Sequence, residues 1–89
     1  MRIRWLRKAV LRNLDEEATY IAADDLNAAR LVIRRIFEAV DQLADQPGAG
    51  RPGRVPGTRE LVVRNTRYIL PYRVRGATVE ILRLFHTSR

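Results

Sequence analysis

The stretch from Gly57 to His86 constrains this chain most. Short runs of β-branched and aromatic residues, Leu61-Val62-Val63 and Tyr68-Ile69-Leu70, meet at Asn65-Thr66, and a third run, Val79-Glu80-Ile81-Leu82, follows Arg75-Gly76-Ala77. Runs of this length separated by turn residues predict an antiparallel meander. Strand alternation puts Leu61 and Val63 on one face with Val62 on the other, and Tyr68, Leu70, Tyr72 and Val74 on a face opposed by Ile69, Arg73 and Arg75. Carried through the last run, the same rule groups Val79, Ile81, Arg83 and Phe85 against Glu80, Leu82, Leu84 and His86. Pro71 cannot donate to a strand ladder, so an irregularity is expected beside it. Both faces carry apolar residues, so each needs a cover.

The rest of the chain supplies one cover. Ile3-Arg4-Trp5 alternates and fits a short edge strand within residues 1–6. From Arg7 the period lengthens: Val10, Leu14, Ala18 and Ile21 form one stripe of an amphipathic helix running to about Ala23. Asp24-Asp25 interrupts it, and Asp25 is a suitable N-cap for a second helix because its carboxylate can accept from the free N–H groups of the first turn. Ala29, Val32, Ile33, Ile36, Phe37, Val40, Leu43 and Ala44 then hold the 3.6 period until Pro47. The short link predicts a helical hairpin over 7–46, packed on the sheet. The expected fold is therefore α+β, one domain spanning 1–89, with the meander over 58–89.

Residues 47–57 hold three of the four prolines and four of the five glycines and read as a loop without regular structure. Gly48, Gly50 and Gly53 spell the dinucleotide-binding pattern G-x-G-x-x-G. That chemistry needs a strand before and a helix after, so that a phosphate meets a helix N-terminus. Here the order is helix, loop, strand, and no cofactor is expected. With no cysteine and one histidine, neither a thiol nucleophile nor a thiolate or histidine-rich metal site is expected, and no disulfide is possible. Charges at every second or third position of Met1 to Arg7 fit neither a signal peptide nor a membrane span, so a cytoplasmic protein is expected. At 89 residues the chain buries only about 60–65% of its unfolded surface, and a partner covering apolar area would help it.

The net charge of +7 is unevenly placed. Residues 1–45 carry eight basic and eight acidic side chains, whereas 46–89 carry nine arginines against Glu60 and Glu80. The excess thus falls on the loop and sheet, where it attracts an acidic protein surface or a phosphate backbone. Sixteen of the seventeen basic residues are arginine, whose planar fork suits carboxylate and phosphate.

Three pieces, taken together and in order, resemble the ParE side of the RelE/ParE superfamily of bacterial toxins. They are Trp5 with Ala9 and Leu14 to Ile21; Asn27-Ala28-Ala29 with Leu43 and Pro47; and Val55 to Val63 followed by Tyr68 to Val74 and Val79 to His86. The resemblance implies a small toxin of a type II toxin-antitoxin pair that arrests growth, assembles with a cognate antitoxin in a hetero-oligomer, and, in its ParE form, inhibits DNA gyrase. RelE-like relatives instead cleave messenger RNA on the ribosome. Such cleavage needs no metal, only a base, an acid and cations for the developing charge. The matching positions are Arg67, Arg83 and His86. No lysine lies in the second half, Thr87 stands where a tyrosine would follow His86, and the glutamate of some nucleases is not clearly matched. The gyrase reading needs no catalytic residue, only a binding surface for target or antitoxin. Its expected contributors are Arg51, Arg54, Arg59, Arg64, Arg67, Arg73, Arg83, Phe85 and Arg89.

Overall fold

The computed structural model describes residues 1–6 and 8–87. Strand β1 (Arg2–Trp5) leads into helices α1 (Lys8–Ala22) and α2 (Leu26–Asp45); strands β2 (Arg51–Pro52), β3 (Arg59–Val62), β4 (Tyr68–Arg75), β5 (Thr78–Ile81) and β6 (Phe85–His86) follow. Arg7, where the sequence starts its first helix, lies outside the described residues, as do Ser88 and Arg89. The helices form the expected hairpin. Asp25 caps α2, its carboxylate accepting from the Ala28 N–H at 3.0 Å, and Gln46 ends the helix just before Pro47. Val10 and Leu14 of α1 are buried with Ile36, Val40 and Leu43 of α2. Phe37 is turned to the flank, half-exposed, with its ring edge-on to Trp5 at 5.9 Å between centroids.

The sheet runs in the order β1-β5-β4-β3-β2, with β6 adding to β4. The meander is antiparallel as expected, and β1 is the edge strand, but it lies parallel to β5, so the sheet is mixed. One face, formed by Leu61, Val63, Leu70, Tyr72, Val79 and Ile81, packs on the helices. Two turns set the register. Asn65 takes a positive φ of 58°, which asparagine tolerates because its short amide can bond locally, and Gly76 takes 56° between β4 and β5.

Two expectations are corrected. Residues 51–52 do not belong to an irregular loop: they pair with Glu60 and Arg59 as β2. Gly50 is needed there because a Cβ would come within 2.6 Å of the buried Tyr72 ring, whose hydroxyl accepts from the Gly50 N–H at 2.8 Å and donates to the Pro47 carbonyl at 2.8 Å. Close packing, rather than a phosphate, accounts for this glycine. The second correction concerns the last strand, where alternation fails after Ile81. Residues 82–84 leave the ladder, and pairing resumes as β6 against Tyr68 and Ile69. The cause is Pro71. Its carbonyl accepts from Leu82 at 2.9 Å, so its missing N–H faces the same neighbour, where the ladder has no donor to use. The break drops Leu84 into the core and sets Phe85 opposite Ile69, away from Val79 and Ile81.

Candidate functional site

The sheet face turned away from the helices carries the alternate residues of every strand. Around the break at 82–84 it sinks into a cleft of about 480 Å³. Ile69, Pro71, Leu82 and Phe85, with Leu6 and Val55, make its apolar lining. Arg54, Arg73, Arg83 and Glu60 line it as well. The irregularity forced by the proline is therefore what builds the concavity: an unbroken β5 would have kept Phe85 on the helix side.

Two glutamates hold the arginines in place. Glu60 accepts from the Arg51 guanidinium and from the Arg54 backbone N–H, both at 3.3 Å. The Phe85 ring seats the Arg83 and Arg54 guanidinium groups, whose central carbons lie 5.2 Å and 6.0 Å from its centroid, cation–π distances. Glu80 is almost fully buried, 5% exposed, and accepts from Arg73 Nε at 2.7 Å, while Arg75 and Arg4 stand at 3.7 and 3.8 Å. The Arg73 hydrogen bond is the main reason its carboxyl titrates below the ordinary value of 4.5; burial pushes the other way, and the fields of Arg73, Arg75 and Arg4 add to the lowering. A depressed folded-state pKa means that the stabilisation is complete above the unfolded value and is lost as pH falls through the folded one. Urea midpoints measured from neutral pH downward should therefore fall on the acid side more steeply for the parent chain than for Glu80→Gln. Parallel acid limbs would rule this out.

The other arginines expected at a binding surface are dispersed. Arg59 donates to the carbonyls of Gly50 at 2.8 Å and Gly48 at 3.5 Å, fastening the segment after α2 rather than lining the cleft. Arg64 lines a separate recess with Arg35, Glu38 and Gln42 of α2. Arg67 is exposed, and its carbonyl accepts from Thr87 at 2.8 Å. Arg89 lies outside the described residues. Arg83 and His86, two of the three candidates for RNA cleavage, share a polar recess of about 270 Å³ with Asn13, Glu16 and Glu17, and Arg67 does not line it. His86 stands edge-on to Tyr68, 5.0 Å between centroids, and the Tyr68 hydroxyl donates to Glu17 at 2.9 Å.

Sequence reasoning named Phe85 but missed the rest of the apolar lining, and it missed the Glu80 centre. The second was within reach: a turn at Gly76 that pairs Arg75 with Thr78 necessarily pairs Arg73 with Glu80. Glu17 carried no such signal, because only the docking of α1 brings it to Tyr68.

The family model for the ParE toxin of type II toxin-antitoxin systems, parDE, matches residues 3–89. The chain belongs to the ParE toxin family. This ParE-family chain is 53% identical over 88 residues to a Sinorhizobium fredii (strain NBRC 101917 / NGR234) protein named "Putative toxin Y4kP", covering 99% of this chain and 90% of that one. Its fold is similar to a solved chain from the chromosomal ParDE toxin-antitoxin system of P. aeruginosa, with a TM-score of 0.83 and 32% identity over 99% of this chain and 97% of the other. Two helices on a mixed sheet are common ground between them. Among the described residues, no helix of this ParE toxin is long and apolar enough to cross a membrane.

Proposed function

We propose that this ParE-type toxin acts by binding DNA gyrase in the cytoplasm, and that a cognate antitoxin neutralises it by covering the cleft on the open sheet face. The observation that supports this reading is the make-up of that cleft, an apolar lining interspersed with Arg54, Arg73 and Arg83. Such a surface suits an amphipathic segment with acidic side chains, since the apolar residues supply affinity and the guanidinium groups supply orientation and rate. The surface clings and needs no reacting group.

The recess that holds Arg83 and His86 fits the ribonuclease reading poorly. A phosphate placed between them would also meet Glu16 and Glu17, and two carboxylates oppose the negative charge that develops as the RNA bond breaks. Purified chain added to a gyrase supercoiling reaction should inhibit it, and ribosomes translating a defined message should leave that message intact. Expression of the chain without its antitoxin should stop growth. Message cleavage that disappears in His86→Ala, with gyrase unaffected, would overturn the proposal.

A further inference from the structure

Beyond the cleft, toward the β1 edge, the same sheet face changes character. The registers of β1 with β5 and of β5 with β4 place Arg2, Thr78 and Arg75 in one row and Arg4, Glu80 and Arg73 in the next. Ile3 and Trp5 of β1 and Val79 and Ile81 of β5 pack on the core, so both rows lie on the uncovered side. The two rows thus hold four arginines, one glutamate and one threonine with no apolar residue among them, and the guanidinium groups of Arg4, Arg73 and Arg75 lie within 3.8 Å of the Glu80 carboxylate. Arg4 and Arg75 are about two-thirds exposed, at 64% and 66%, while Glu80 is buried beneath them.

We propose that this arginine lattice is a binding site for the phosphodiester backbone of a nucleic acid. The rows repeat every two residues, about 6.6 Å along the strands, and the backbones of the β1 and β4 arginines stand about 9.6 Å apart across β5. The lattice therefore roots its arginines over a flat area, as a line of phosphates requires, and the single Glu80 carboxylate on which three of them converge offsets only one of the four positive charges. Buried Glu80 has a positioning part: it holds Arg73 by a direct hydrogen bond and draws Arg4 and Arg75 inward, which lessens the mutual repulsion of the group while leaving an excess of positive charge. Composition distinguishes this site from the cleft, with which it shares Arg73 alone. A protein partner is held through an apolar centre, which the cleft has and the lattice lacks; backbone contacts with nucleic acid are polar and strongly cationic, which is what the lattice offers. The inference stands apart from which enzyme the toxin poisons, because its test contains no gyrase.

The test measures fluorescence anisotropy of labelled probes with the full 89-residue chain across a salt series. The probes are a short DNA duplex of arbitrary sequence, an RNA duplex of the same length, and poly-glutamate. With about three phosphates neutralised, log K should fall with log salt at a slope of about −2.7 on at least one nucleic acid, and the tighter of the two names the source. The double variant Arg2→Gln and Arg75→Gln should lower the slope to about −0.9 and, at about 0.1 M salt, weaken binding roughly sixtyfold, because each phosphate left without its arginine lowers K by about a factor of eight. Arg12→Gln with Arg30→Gln makes the same charge change on exposed helix positions and should stay within about threefold. Circular dichroism of each variant checks that it is folded. Three results would overturn the proposal: no salt-dependent binding of either duplex by the parent chain, equal losses in the two double variants, or a loss confined to poly-glutamate. The last would assign the lattice to an acidic protein.

Discussion

Replacing Tyr72 by alanine is expected to destabilise the fold by about 4 kcal/mol, the usual cost of removing an aromatic ring from a closed core. A chain of this size has only about 5–10 kcal/mol to lose, so most of its margin would go. Tyr72 has no solvent exposure, and its hydroxyl joins Gly50 and Pro47, two points of the segment that leaves α2. The side chain therefore couples the sheet to the end of the helical hairpin. Tyr72→Phe keeps the ring and leaves a buried N–H and a carbonyl without that partner, which should cost about 1–3 kcal/mol. Urea unfolding of the three proteins distinguishes the two contributions. A loss below about 1 kcal/mol in the alanine variant, or equal losses in both, would show that the ring is not the keystone its burial implies.

The second large effect is expected on partner binding. Phe85→Ala should weaken the complex with the cognate antitoxin by about thirtyfold or more, the usual consequence of losing an aromatic anchor worth about 2 kcal/mol at the centre of an interface. Its ring is part of the cleft lining and also seats the Arg83 and Arg54 guanidinium groups, so one truncation removes apolar area and frees two cations at once. Because the ring is only half-buried, the cost to folding should be small, about 1 kcal/mol. Leu11→Ala, on the exposed side of α1, should leave the complex unchanged. Calorimetric titration of antitoxin into each variant makes the comparison. An unchanged affinity for Phe85→Ala would place the antitoxin elsewhere.

The two effects bear on different parts of one device. Tyr72 lies on the covered face of β4, and Ile69, Pro71 and Arg73 lie on the uncovered one, so the strand that closes the core also presents the cleft. Pro71 links the two roles. It sits mid-strand, where it would ordinarily weaken a sheet, yet the ladder break it enforces is what lifts Phe85 out of the core side and opens the concavity.

Residues acting on their immediate neighbours can be interpreted without a structure. The helix stripes, the Asp25 cap and the turns at Asn65 and Gly76 all depend on chemistry within about four positions along the chain, and each appears where local rules place it. Even the irregularity beside Pro71 follows from its missing N–H. Its consequence does not, because whether Leu84 or Phe85 turns inward depends on how many residues the neighbouring strand skips before it pairs again. Likewise, nothing near Arg2 or Arg4 says that β1 will lie beside β5, some 76 positions later, and so bring their charges to Glu80. Nothing around Glu17 announces Tyr68. Such meetings join segments far apart in sequence, and they are set by which arrangement buries the most apolar surface of the whole chain, a quantity that no short window contains.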